Sequence, residues 1–582
     1  RQHNHSNTAS GETHACILAT RYARRMFRAV PLIGLLALAI PGAAQLTTDQ
    51  RIADFRNLAD LVARKYAPLE WKRDTLKFDA LNIAPWLDRI RRAKDDLDLY
   101  EISVEYIAAL DDAHSGYYLP TTFVASLGFT VDIYEGKVLI DSINRDRLPA
   151  EQYPFEVGDE LVSVDGKTSQ ELIAAFKKYT MSGNSRTTER VAASLIVSRW
   201  QEVMPRAQEI GDEAKIVVRR QDGSQQDYTI AWRKTGTPVT SLGPGPGPRT
   251  ATIRAPFEDA PDYLDPLRRL EDFLLPRRRL VLGFGARSPI FAMPEGFVQR
   301  QGAGRLDFYF SGTYEAEGLK IGFIRIPSFE YQPVAAFETE IKFFQENTDG
   351  LVVDIMRNPG GSACTVERLL AYLMPDPFQG SSQEIVVTWW DVLGVITSLE
   401  AARARDPQVL ATIERLEALA DAYQSTYFQG LGRTKPVPIC AAGLERQPAK
   451  DKDGNLLAYT KPILVLVDDM TASAGDLFAA LIQDHSRGPL AGMRTVGAGG
   501  SPEGFDSGVY SEGAADLTMT LVVRKQPVKT PEFPATPYLE NVGVRPDIVL
   551  DYMTKDNLMN KGKSFVEAFT KAMVEHIRAK AP

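Results

Sequence analysis

Ser473 stands where an apolar run gives way to a helix. Ile463–Val467, five β-forming residues, read as a buried strand, Asp468-Asp469-Met470-Thr471 as a short polar turn, and residues 474–483 as an amphipathic helix. A hydroxyl at such a joint lies at a helix N-terminus, where unpaired N–H groups and the positive end of the dipole favour an alkoxide or an oxyanion. That is a setting for a nucleophile, although serine is also a preferred N-cap and the segment alone favours the cap. Residues 350–375 repeat the design: an apolar strand over 351–355, the turn Arg357-Asn358-Pro359-Gly360-Gly361, and a helix with Val366, Leu369, Leu370 and Leu373 on one face. Gly360 and Gly361 let backbone N–H groups face a ligand with no side chain between. That is what an oxyanion hole opposite Ser473 needs, although Pro-Gly-Gly is also an ordinary turn.

An attacking serine needs a base. Beyond residue 44 the chain holds three histidines, His114, His485 and His576. His485 lies at the far end of the Ser473 helix and His576 in a charged C-terminal helix, so neither is well placed to reach Ser473. His114 remains, at the end of a helix read over 97–110, within Asp112-Ala113-His114-Ser115-Gly116. Its other reading is a C-terminal helix cap.

Three stretches in this order, VVDIMRNPGG, TASAGDLFAALIQD and LENVGVRPDIVL (539–550), resemble the C-terminal-processing, or tail-specific, serine peptidases, whose core is crotonase-like. With weaker matches the resemblance reaches over more than half of the chain. Most members look like Ser–Lys enzymes with the lysine in a Phe-Gly-Lys-Gly element, but here the equivalent reads Val496-Gly497-Ala498-Gly499. Ala498 cannot be a base. The branch that includes tricorn protease uses a histidine in an Asp-x-His element and a glutamate that orients it. The resemblance therefore implies Ser473 as nucleophile, His114 as base, Glu540 as orienting carboxylate, and the N–H groups of Ala474 and of Gly360 or Gly361 as oxyanion hole. Asp476 and Gln483 fall where the family often has polar helpers, but read more readily as a helix N-terminal charge and a solvated face respectively. A base at Lys525 is a third option.

The elements that must position these groups follow from the rest of the chain. Arg21, Arg24, Arg25 and Arg28 precede an apolar run over 29–40 and a small-residue site ending at Ala44, which together read as a secretory signal, with residues 1–25 an upstream artefact if Met26 is the start. The run is too short to span a bilayer. Removing 1–44 takes away five basic residues and one acid, moving the formal charge from −8 to −12, a balance that argues against nucleic acid. Cys364 and Cys440 then remain, as a disulfide or as two free thiols, and no Cys/His spacing suits a metal.

Helical periodicity over 47–67 and 97–110 gives a helical N-terminal domain, 45–122. Residues 123–235 resemble a PDZ module: Leu127-Gly128-Phe129 before a β-run would donate N–H groups to a peptide's terminal carboxylate, with GDELVSVDG (158–166) further on. No Lys or Arg lies between Ala113 and Leu127 to assist, and a PDZ-shaped cover that binds no tail is the alternative. A breaker-rich GPGPGP (243–248) opens an unassigned stretch, 236–317. The crotonase-like core is expected over 318–376 and 458–553, with an insertion over 377–457 that restricts access or makes a dimer contact, and a C-terminal helix in 554–582. The expectation is thus a multidomain α+β chain acting as an exported (periplasmic or secreted) serine endopeptidase on polypeptides, without cofactor, nucleic-acid partner or stable membrane insertion. The alternative is a binding protein on the same fold that has lost its chemistry.

Overall fold

Seven strands carry the catalytic part of the molecule, in the order 298–301, 310–316, Leu319–Arg325, Gly350–Asp354, Ile463–Val467, Leu490–Gly492 and Ile548–Val549. A computed structural model describes residues 45–239, 283–330, 333–404 and 410–580, all within one compact unit. The secretory-signal reading and the GPGPGP stretch lie outside the described residues. The first two strand pairings are antiparallel and the later ones parallel. The parallel strands Gly350–Asp354 and Ile463–Val467 are buried at every position, as befits a sheet covered on both faces. Two strands of this sheet, 298–301 and 310–316, come from the stretch that resists assignment by sequence. Val298–Gln301 has three of its four residues exposed, so it offers little of the hydrophobic signal from which a strand is read.

One face of the sheet is covered by the helices Val334–Asn347, Ala363–Leu370 and Ala474–Asp484, whose Phe337, Ile341, Leu369, Leu370 and Phe478 share a core with Leu351, Val353, Val465 and Val467. The C-terminal helix Lys563–Lys580 covers the other, packing Phe565, Phe569 and Met573 against Phe323, Val352, Leu464 and Leu466. Alternation along a strand sends successive residues to opposite faces, and these two clusters divide Val352 from Val353 and Leu464 from Val465 accordingly.

The N-terminal helices Thr48–Lys65 and Asp96–Ala108 pack around Phe55, Leu58, Tyr100 and Tyr106. Just beyond them, Gly116–Tyr118 pairs antiparallel with Ala514–Thr518, which fastens the segment that bears His114 to the catalytic part. The PDZ portion has its own sheet, 129–134, 137–143, 160–164, 213–219 and 225–231 in order, and its own core around Phe129, Val131, Phe155 and Ile216. Its helix Ser185–Val197 docks on the catalytic turn. Arg190, buried, makes a two-bond ion pair with Asp132 (3.0 and 2.6 Å) and donates to Asp469 at 2.7 Å. Arg186 adds a bond to the other oxygen of Asp469 at 2.9 Å. Taking away Arg190 would leave the buried Asp132 without its cation, at a cost of about 3–5 kcal/mol.

Between the second and third parallel strands lies a long excursion with two helices, Trp389–Ala404 and Leu410–Phe428, packed on each other through Val395, Leu399 and Ala420. Its strand Ser382–Ile385 joins Thr520–Val528. A disulfide between Cys364 and Cys440, 5.3 Å apart at Cα, ties the excursion to the helix that follows Gly360-Gly361. The open choice between bridge and free thiols is settled as a bridge.

Candidate active site

Ser473 lies at φ 58°, ψ −120°, and its side chain caps nothing. A non-glycine residue held in that region costs of order 1–3 kcal/mol and persists where the surroundings impose it, commonly at functional sites. The capping alternative for Ser473 therefore does not hold. A serine on a strained strand-to-helix turn, with no capping bond to hold its hydroxyl, has the backbone setting of a nucleophile elbow.

What imposes the strain is a second turn pressed against the first. Gly350–Asp354 and Ile463–Val467 are neighbours in parallel, Val353 beside Val465, so the two turns leave the sheet side by side at its carboxyl end, where open α/β sheets bind ligands. Ala472 N–H donates to Asn358 O at 2.9 Å and Arg357 N–H to Asp468 Oδ1 at 2.8 Å. Gly360 has φ 104° and Gly361 φ 130°. A Cβ on Gly360 would lie 2.4 Å from the Cβ of Ser473 and 2.9 Å from Ala474 N. The three proposed oxyanion residues are therefore together, but not equivalent. Gly360 N–H already donates to Asn358 Oδ1 at 2.8 Å, whereas the N–H groups of Gly361 and Ala474 meet no acceptor among the described residues.

Asp476, read from sequence as a helper or a helix-end charge, is fully buried and does more than charge a helix end. It accepts from Gly497 N–H (2.8 Å) and Ala498 N–H (3.1 Å), and burial pushes its carboxyl up to about 6. The loop that carries a lysine in other members is thus clamped to the nucleophile helix by its backbone. Gln483 is not a solvated face, since it donates to Arg545 O and accepts from Arg524. Lys525 is exposed on its strand. His485 commits both ring nitrogens, one to Leu481 O and one to Gln379 N–H, at 2.9 and 3.0 Å.

His114 is buried, and Asp112 Oδ1 accepts its backbone N–H at 2.8 Å. Asp112 Oδ2 accepts from Tyr66 Oη at 2.8 Å. Burial pulls Asp112 upward, but Lys72 and His114 outweigh it and keep the carboxyl below its ordinary value. Glu540 lies in the same cluster, fully buried, with Lys72 Nζ on one oxygen at 2.5 Å and Gly499 N–H on the other at 3.0 Å. Burial, then the nearby Asp112, raises its carboxyl to about 7 against the pull of Lys72. The cluster reaches the nucleophile through one loop, whose Gly497 and Ala498 meet Asp476 and whose Gly499 meets Glu540.

Sequence reasoning missed Lys72. It follows Leu69-Glu70-Trp71 at the start of a π-turn, Lys72–Leu76, and lies 468 positions from the carboxylate it holds. π-turns occur often at functional sites, but no local pattern announces one. In the PDZ portion, Leu127 and Phe129 are core residues and Gly128 has φ 91°. Leu127 N–H donates to Val197 O at 3.0 Å. The missing basic residue comes from downstream: the guanidinium of Arg147 bonds Ser126 O and Oγ, within 3.2 Å of where a Cβ of Gly128 would stand. Among the described residues no group of three His, Cys, Asp or Glu could hold a metal, and no helix is long and apolar enough to cross a membrane.

A strained serine at the head of a helix, with the N–H groups of Gly361 and Ala474 beside it and unbonded among the described residues, is the arrangement of a serine peptidase. Residues 320–550 match peptidase family S41 and residues 124–239 match the PDZ domain, so the chain carries an S41 serine-peptidase domain together with a PDZ domain. An uncharacterized protein of Chlamydia muridarum is 25% identical over 606 aligned positions, 91% of this chain and 94% of that one. A protein of Chlamydia trachomatis is 24% identical over 89% of this chain and 91% of its own. A chloroplastic C-terminal processing peptidase of Tetradesmus obliquus is 35% identical over 99 residues, 17% of this chain and 19% of its own. The crystal structure of mature CPAF shares the fold, with a TM-score of 0.72 at 21% identity over 92% of this chain and 99% of its own.

Proposed function

We propose that this chain is an exported serine endopeptidase that cuts unstructured or C-terminal regions of other polypeptides, with Ser473 attacking, His114 as general base and Glu540 orienting the imidazole. The observation that carries the reading is the backbone of Ser473, φ 58° and ψ −120° with no capping bond, pressed against Gly360. The attacking oxygen gives its proton to His114, the tetrahedral oxyanion draws on the N–H groups of Gly361 and Ala474, and His114 returns the proton to the departing amine. With Ala498 in place of a lysine, and Lys525 exposed, a histidine base is the economical choice. The alternative, a binding protein that has lost its chemistry, has no account of why the strain at Ser473 and the bare N–H groups persist.

Export is supported by the basic-then-apolar leader and by the Cys364–Cys440 bridge, which suits an oxidising compartment. The direct test is incubation of the purified protein with an unfolded polypeptide and with the same polypeptide folded. Cleavage of the unfolded form and resistance of the folded one supports the reading. Binding without cleavage favours the alternative.

The PDZ portion supplies a further prediction. If Gly128, Phe129 and Arg147 receive a substrate's terminal carboxylate, a peptide with an apolar free-acid end binds at micromolar affinity, near −8 kcal/mol. Amidating that end costs about 1.5–3 kcal/mol, roughly tenfold to a hundredfold. Titration calorimetry with the two peptides checks it, and equal binding, or none, makes this portion a cover and not a receptor.

A further inference from the structure

Two loops that bear members of the proposed triad are each held in an unfavourable backbone. Asp111, three residues before His114, has φ 48°, and Asn541, next to Glu540, has φ 61°. A single side chain joins them. Lys72 Nζ donates to Asp111 O at 3.0 Å, to Glu540 Oε1 at 2.5 Å and to Asn541 Oδ1 at 2.6 Å, while Asn541 Nδ2 closes the ring to Asp111 O at 2.8 Å. Lys72 and Glu540 are both wholly shielded from water. An ammonium has three N–H donors and no acceptor, and here all three are committed to these oxygens. Its first neighbour Trp71 also donates to Asn541 Oδ1, at 3.1 Å, which fixes the approach of the π-turn.

Resting on the triad reading given above, we infer that Lys72 is a positioning residue of the catalytic site: its ammonium favours the carboxylate form of Glu540 and fixes the Asp111 and Asn541 loops, so that His114 is oriented by an anion.

The charges around Glu540 decide what loss of the ammonium does. Besides Lys72 there is Asp112 from the N-terminal portion, with His114 beside Asp112 and the phenol of Tyr66 bonded to it. Gly499 contributes only an N–H dipole. Without Lys72, burial and Asp112 both favour the protonated acid. Glu540 then carries its proton at neutral pH, and a higher pH is needed to ionise it. The activity profile should move in that direction, because on the triad reading a proton on Glu540 removes the anion that orients His114.

The experiment is the pH dependence of kcat and KM for Lys72→Met, which keeps the length of the side chain and removes its charge. The expected result is a kcat at pH 7 lower by about tenfold or more, KM within about twofold, and an acid limb moved up by about one pH unit or more, with activity partly regained at higher pH. A merely structural role would lower activity by one factor at every pH and leave the limb in place. A limb that superimposes on that of the wild type, or a change confined to KM, overturns the inference.

If K72M does not fold, the comparison of K72M/E540Q with E540Q decides, since the double variant carries no unpaired buried charge. Equal kcat/KM supports action through Glu540, and a further loss of about tenfold overturns it. An E540Q as active as the wild type removes the triad and this inference together. An impaired E540Q beside an unaltered K72M removes the inference alone.

Discussion

Replacing His114 by alanine is expected to lower kcat/KM by about three orders of magnitude or more, the scale on which removing a member of a Ser-His-acid set acts. The wild-type profile should carry the same signature. Imidazole must be neutral to take the serine proton, so activity falls as pH drops through about 6 to 7. Glu540, raised to about 7 by burial, gains its proton over the same range, and Asp476, raised to about 6, follows. All three protonations act in one direction, and the acid limb should be steeper than that of a single group. Rates measured from pH 5 to 9 check this. Full activity in H114A, or a limb lying above about pH 8 and lost in Lys525→Ala, would place the base elsewhere.

The second large effect concerns the wall of the site and not its reacting groups. Gly360→Ala would put a methyl 2.4 Å from the Cβ of Ser473, at a φ of 104° that disfavours any side chain. The least disruptive response is a shift of the 358–361 loop away from the nucleophile turn, which carries the N–H of Gly361 with it. Loss of one oxyanion donor is worth about 10²–10³ in kcat, and that is the expected fall, with KM little changed. Steady-state kinetics of G360A decides it. A kcat within about twofold of the wild type would mean that this loop does not set the oxyanion site.

Much of this site is legible in the sequence because its two halves are written locally. Ile463–Val467 and the helix after it, and the strand and helix that flank Gly360-Gly361, each give an apolar strand, a turn and an amphipathic run in unbroken order. What local pattern cannot give is which groups meet across the fold. The segment that bears His114 is fastened to the catalytic part by the pairing of 116–118 with 514–516, and Lys72 holds Glu540 from 468 positions away. The sign of a local reading also changed in context. Ser473 reads as a cap by residue type, but its backbone is held at φ 58° beside the glycine loop and its side chain makes no capping bond. The first strands of the catalytic sheet were hidden for another reason: Val298–Gln301 is largely exposed and polar, so its place is set by the partner strand and not by its own pattern.

The account turns on Ser473 as nucleophile, and active-site labelling addresses that most directly. The protein is treated with a fluorophosphonate, digested and mapped by mass spectrometry, with Ser473→Ala carried in parallel. The expected result is one adduct, on Ser473, together with loss of both labelling and peptidase activity in S473A. An adduct on a different serine, or an S473A protein that still cleaves polypeptide at the wild-type rate, would contradict the account.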